Sequence, residues 1–192
     1  MGYTTDFNGE FMLHKPLAPA DLEFLQKLNR TRRMARNVDA KYGVEGEFYV
    51  EDTEDMGQVH SDNIIDYNRP PSTQPGIWCG WTPNDTGTII EWDGGEKFYN
   101  YIEWIKYIID NILIPRGYSL TGEVFWTGED GDDRGKIVIK NNKIKILDAY
   151  TFFSAQLPQK RKRIKRTPLE EIAWIEKRIL ELKTKKKKLV NG

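Results

Sequence analysis

The residues best placed to do chemistry are acidic. In the stretch GEDGDDRG, Asp130 and Asp132 stand two apart and Gly135 takes the sixth position, as in the opening of a calcium-binding loop. The fifth position is Arg134 and the twelfth is Asn141, where such a loop needs a bidentate Glu, so an EF-hand is excluded. What remains is a looser divalent-cation turn, set against an ordinary acidic solvated turn. Two carboxylate pairs, Glu91 with Asp93 and Glu123 with Glu129, have the composition of acid–base catalysts, but their spacing does not separate them from surface acids. Gly94-Gly95 before a helix suggests a phosphate cradle. Asp93 and Glu96 already occupy that positive end and would repel an anion. His14 and His60 are the histidines, and neither has a diagnostic neighbour. The chain shows no nucleophile motif, no histidine pair at ligand spacing, no P-loop and no dinucleotide fingerprint. No metal and no cofactor are expected.

Cys79, the one cysteine, excludes an internal disulfide and reads as a small buried hydrophobe. No apolar run reaches the ~20 residues of a membrane span. The start, MGYTTDFNGE, lacks a signal-peptide pattern. The expected location is the cytoplasm, that of the host cell if a phage encodes the chain. Equal numbers of basic and acidic residues, 29 each, conceal a polar division. Residues 159–192 carry thirteen Lys and Arg against four Glu, a net of +9, and the rest of the chain carries −9.

Two stretches are candidate partner-binding surfaces. Residues 51–76 read as a long irregular connection rich in Pro and Gly, of a kind that is uncommon in compact domains unless functional. It presents His60, Asp62, Asp66, Tyr67 and Arg69. Near the C-terminus, Thr167, Pro168 and Glu170 spell a helix start, and Ile172, Ile175, Ile179 and Leu182 form a heptad seam. The seam spans about two heptads, too short to be stable by itself in water. It must dock on the body, join a second copy or meet another protein. Before it, Lys160, Arg161, Lys162, Arg163, Lys165 and Arg166 form a cationic run suited to nucleic-acid phosphates.

The elements that position these groups are legible from periodicity. Tyr3 to Lys15 alternates as one strand, with Tyr3, Thr5, Phe7, Gly9, Phe11 and Leu13 on one face. Pro19 opens a helix striped with Leu22, Leu25 and Leu28, which runs into Arg30, Arg32, Arg33 and Arg36; the helix dipole is the expected reason for the positive charge, set against an anion-binding patch. Gly46 to Val50 is expected to be a strand. Gly76–Trp81 and Thr86–Trp92 are expected to form a hairpin whose Trp78, Trp81 and Trp92 make a core corner, set against an aromatic stack for bases or sugars. Asp93 and Glu96 then suit a capping box for a helix carrying Phe98, Tyr101, Ile102, Ile105, Ile108, Ile109, Ile112 and Leu113 on one stripe, closed by Pro115 and Gly117. Tyr118–Thr127 is a strand. Lys136–Leu147 is a hairpin around Asn141-Asn142, with Lys140 facing Lys143, Ile139 facing Ile144 and Ile137 facing Ile146.

The blocks GYTTDFNGEF, NRTRRMARN, DYNRPPSTQPGIWCGW, IEWDGGEKFYNYIEWIKYII and GYSLTGEVFWTGEDGDDRGKIVI, in this order, resemble a family of uncharacterised proteins of bacteriophages and bacteria. The resemblance spans residues 1–146 and implies a shared fold and a phage or prophage origin. It carries no known catalytic residues, and it does not reach residues 159–192.

Together these readings predict an α+β domain over residues 1–158: a mainly antiparallel sheet with two helices packed on one face, in the order β-α-β-β-β-α-β-β-β. A basic linker and amphipathic helix follow over 159–192. The functional expectation is a non-enzymatic phage-type interaction protein acting on a host or viral protein, in host takeover or anti-defence. A nucleic-acid-associated protein using the cationic tail is the alternative, and a small divalent-cation-dependent enzyme the second. A homo-oligomer through the C-terminal helix is a further expectation.

Overall fold

The computed structural model describes residues 2–50, 54–58, 61–148, 172, 182 and 183, and the chain divides into two compact units, Met1–Ser154 and Ala155–Gly192. In chain order the elements of the first unit are β1 (Thr5–Leu13), α1 (Pro19–Arg30), β2 (Ala35–Arg36), β3 (Ile64–Asp66), β4 (Trp81–Pro83), β5 (Ile89–Trp92), α2 (Tyr101–Ile108), β6 (Leu120–Gly128), β7 (Arg134–Lys140) and β8 (Lys143–Asp148). The fold is α+β. Six strands form one antiparallel sheet in the order β4-β5-β1-β6-β7-β8, and β2 pairs with β3 in a small separate ladder.

Alternation explains the central strand. Thr5, Phe11 and Leu13 are buried and Phe7 half-buried, while Asp6, Asn8, Glu10 and Met12 face outward. Across β6 the register sets Phe7 opposite Trp126 and Phe11 opposite Gly122, so the inner faces of both strands coincide. Phe7 meets Trp81 and Trp92 edge-on at 5.4 Å and Tyr101 at 4.9 Å, which makes it the hub of an aromatic corner. Leu25 and Leu28 of α1 and Trp104, Ile105 and Ile108 of α2 join the same buried cluster as the inner face of the sheet.

Pro19 sits at the start of α1, as its fixed φ favours. The cap comes from a distant residue. The Tyr118 hydroxyl accepts from the Ala18 N–H at 2.9 Å and donates to the Asp21 carboxylate at 2.8 Å. Arg116 completes the knot with Nε 3.0 Å from Asp21. The second helix starts later than its stripe predicts. Residues 93–100 are not helical, because Asp93 spends its carboxylate on the Gly95 N–H and the Asn29 side chain instead of a capping box. The α-helix begins at Tyr101 and widens into a π-helical turn, Ile109–Leu113, which buries Ile109, Ile112 and Leu113. Phe98 is buried but stands outside the helix.

The β7–β8 hairpin has the expected register: Lys140 opposite Lys143, Ile139 opposite Ile144, Ile137 opposite Ile146. Asn141 and Asn142 take positive φ values of 47° and 66°, as a primed two-residue turn requires.

Four sequence expectations are corrected between α1 and β5. Gly46 to Val50 is not a strand, since Gly46 takes φ 73° and the carbonyls of Gly46, Glu47 and Tyr49 turn to the Arg33 guanidinium. The segment after it is not wholly irregular, because β3 pairs with β2. Of Gly76–Trp81, Trp81 alone belongs to a strand, and that strand continues to Pro83. The arginines are not explained by the dipole either, apart from Arg30 in the last turn of α1. Arg32, Arg33 and Arg36 lie beyond the helix and bind the chain that folds over them.

In the second unit, Ile172, Leu182 and Lys183 are helical, and Ile172 and Leu182 are exposed. Ile175, Ile179 and the run Lys160, Arg161, Lys162, Arg163, Lys165 and Arg166 lie outside the described residues. No described helix is long and apolar enough to cross a membrane.

Candidate functional site

The arginine cluster shapes the surface from within. Arg33 is 2% exposed, and all its hydrogen-bond acceptors are neutral. It donates to Gln74 Oε1 at 2.7 Å and to the backbone carbonyls of Gly46 at 3.0 Å, Glu47 at 2.9 Å and Tyr49. Burial pulls its pKa down to about 10. Gln74 and the Tyr107 hydroxyl close the network on the Glu47 carbonyl. Burial also pushes the Tyr107 hydroxyl up to about 12. Arg36 donates to Asn63 Oδ1 at 2.7 Å and to the Gly57 carbonyl, with its guanidinium over the Tyr49 ring. These bonds replace a β-ladder as the means of satisfying backbone carbonyls.

Outward of this network lies a cleft of about 490 Å³. Asn29 and Arg30 at the end of α1 form one wall, the turn from Asp93 to Phe98 another, and Met56, Trp78, Cys79 and Gly80 the rest. Its volume falls in the range of small-ligand pockets. Asn29 pins the walls together: its Nδ2 donates to the Cys79 carbonyl at 2.8 Å and to Asp93 Oδ2 at 2.6 Å. Asp93 in turn donates its N–H to the Gly80 carbonyl at 3.0 Å, and the Trp92 indole holds the Gly95 carbonyl at 3.2 Å. Gly80 has no substitute here, because a β-carbon would stand 2.7 Å from the Phe98 ring. Lys97 takes a left-handed φ of 59°, uncommon for a lysine, and Asn100 one of 55°, which asparagine adopts readily.

Trp78 is 38% exposed at the rim, with the Arg32 guanidinium 5.9 Å from its ring centre. Arg32 is itself fixed by the Tyr67 carbonyl at 2.9 Å, and its N–H by the Met56 carbonyl at 3.0 Å. Met56 and Tyr67 are 54% and 41% exposed. Trp78 and Met56 line the cleft, and Arg32, held by the Tyr67 carbonyl, faces the Trp78 ring; tryptophan, methionine and arginine are enriched in protein interfaces. Cys79, at the floor of the cleft, is no nucleophile: burial pushes its thiol up to about 12 and its Sγ lies 3.6 Å from the Trp81 carbonyl.

The candidates from residues 51–76 divide. Tyr67 does not line the cleft; its carbonyl holds Arg32, which faces Trp78. Asp62, Asp66 and Arg69 are exposed, and they do not line the cleft. Asp66 accepts from the Asn68 N–H at 2.9 Å, and the Arg69 carbonyl accepts from the Ala35 N–H at 2.7 Å. His60 lies outside the described residues. The acidic turn after β6 is a clasp. Asp133 accepts from the Tyr3 hydroxyl at 2.7 Å and the Trp126 indole at 3.1 Å, and Glu129 accepts from the Thr4 N–H at 2.7 Å. Among the described residues no group of three or more His, Cys, Asp and Glu side chains gathers as metal ligands do. Asn29, Met56 and Lys97 had no sequence signal as site residues. Trp78 was expected in a strand and in the core corner; that expectation is corrected, since it belongs to no strand and stands 38% exposed.

Compared with known proteins, the chain matches no family model, no curated protein and no solved structure.

Proposed function

We propose that this chain is a non-catalytic interaction protein whose cleft receives a segment of a partner protein. The observation that carries the reading is the rim: Trp78 stands exposed against Arg32, beside Met56, over a cleft whose walls Asn29 holds in place. Tryptophan, tyrosine and arginine dominate the energy of protein interfaces when they border a preformed depression. Arg30 on the α1 wall, and Asp93, Glu96 and Lys97 on the turn that forms another wall, supply charges of both signs for register. The acidic residues of the clasp and the floor thiol are committed to structure, which favours binding over catalysis. The phage or prophage origin expected for residues 1–146 from the sequence would make the partner a host or viral protein.

The test is affinity capture from host lysate with tagged full-length chain, wild type beside Trp78→Ala, each with and without nuclease. A discrete protein retained after nuclease by the wild type and lost with Trp78→Ala supports the reading. A partner held equally by both, or recovered only through nucleic acid, contradicts it and moves attention to the cationic C-terminal run.

A further inference from the structure

β8 stands at one end of the six-stranded sheet, and among the described residues no strand flanks its far side. The register with β7 decides which backbone groups are left open there. Across the two-residue turn Lys140 and Lys143 form the first hydrogen-bonded pair, so Lys145 and Leu147 also bond to β7. Ile144 and Ile146 therefore turn their N–H and C=O groups to the open edge. Their side chains are half-buried at the rim of the inner face, while those of Lys143 and Lys145 are exposed on the outer face. Among the described residues no ion pair reaches Lys140, Lys143 or Lys145, although Lys140 and Lys143 stand directly opposite and repel each other. The other end of the sheet is different: β4 is three residues long and ends in Pro83, two features that blunt an edge.

We propose that the β8 edge takes an extended acidic segment of another protein as a seventh strand. The backbone groups of Ile144 and Ile146 supply the hydrogen bonds of such an addition. Side chains of the added strand alternate between faces. Its carboxylates then fall beside Lys143 and Lys145, and the apolar residues between them extend the inner face over Ile144 and Ile146. Charge selects this occupant over two others. A second copy of β8 would lay its own lysines against these, the device by which sheet edges avoid self-pairing. The chain's own residues 159–192 carry a net of +9, the same sign as the edge. No residue of β8 lines the Trp78 cleft, so this is a separate surface.

The experiment is an NMR titration of the isotope-labelled full chain with a hexapeptide of alternating glutamate and valine, at about 0.01 M and about 1 M salt, where screening lengths are about 30 Å and 3 Å. Residues opposite one another across a ladder share a face, so the valines meet Ile144 and Ile146. The expected result is saturable shifts of the β8 amides at low salt, with slower hydrogen exchange at Ile144 and Ile146 and at least tenfold weaker binding at high salt. Methylating the valine nitrogens should weaken binding at least tenfold, and methylating the glutamate nitrogens, which point away from β8, should leave it unchanged. Lys143→Glu/Lys145→Glu, altered at two exposed positions, should lose the acidic peptide and bind a hexapeptide of alternating lysine and valine instead. Absence of saturable β8 shifts at low salt overturns the proposal. Equal binding of the valine-methylated peptide does so too, since it would mean adsorption by charge without a strand. So does a charge-reversed protein that fails to bind the lysine peptide.

Discussion

Arg33 donates to Gln74 at 2.7 Å in a site buried from water, although 41 positions separate them. This bond joins the end of α1 to the segment that leads into the cleft wall at Trp78. The same guanidinium gathers three backbone carbonyls of the 46–49 turn, so one side chain replaces the hydrogen bonds that a strand there would have made.

Removing that side chain leaves these carbonyls buried without donors. Arg33→Met is expected to cost at least about 3 kcal/mol, and Gln74→Ala about 1–3 kcal/mol. The double variant should cost less than the sum, because the two share one network. Urea unfolding followed by fluorescence checks both the losses and the coupling. Losses under about 0.5 kcal/mol would mean that the turn is held by other contacts.

The alkaline limb of stability should report Cys79. An ordinary thiol ionises near 9.0, and burial pushes this one up to about 12. Below pH 9 the folded and unfolded chains both keep the proton, and the contribution is whole. Above it the unfolded chain releases the proton and the folded chain does not, so stability falls as pH rises. From pH 8 to 10 the loss from this group is about 1.4 kcal/mol. Tyr101 and Tyr107, also pushed up to about 12 by burial, add losses from pH 10 upward, where the lowered pKa of Arg33 acts in the opposite direction. Cys79→Ala should therefore flatten the pH 8–10 window relative to wild type. Identical slopes for the two proteins would contradict the burial argument.

Gly135 sits opposite Trp126 in the β6–β7 pair, and the indole occupies the space that a side chain at 135 would need. Gly135→Val should force the ring out of the core corner and destabilise by about 1–3 kcal/mol. It should also weaken the Asp133 clasp, since Asp133 holds the Trp126 indole nitrogen. Thermal unfolding, with proteolysis of the N-terminal residues as a second probe, tests both consequences.

Where periodicity governs, the sequence was a good guide. The alternation of β1, the Pro19 start of α1 and the isoleucine register of β7 and β8 all follow from side chains meeting a single core face. Asn142 was legible as a turn residue. Its bonds to the Leu120 N–H at 2.7 Å and the Tyr118 carbonyl at 3.0 Å were not, because they join segments that only the sheet brings together. Between Thr31 and Gly80 the guide failed for one physical reason. There the backbone is satisfied by arginine side chains, and a guanidinium collecting carbonyls leaves no period of 2 or 3.6. The cleft was hidden on the same ground. Asp93 has the residue type of a helix cap, and tertiary contact with Asn29 gave it another task.

The Trp78 cleft is the proposed docking surface. Hydrogen–deuterium exchange of the full chain, with and without its captured partner, tests this most directly. Binding at the cleft predicts added protection at the amides of residues 76–80 and 93–98, with the strand amides of β7 and β8 unchanged. Protection confined to other segments, with residues 76–80 and 93–98 exchanging as in the free chain, would contradict it.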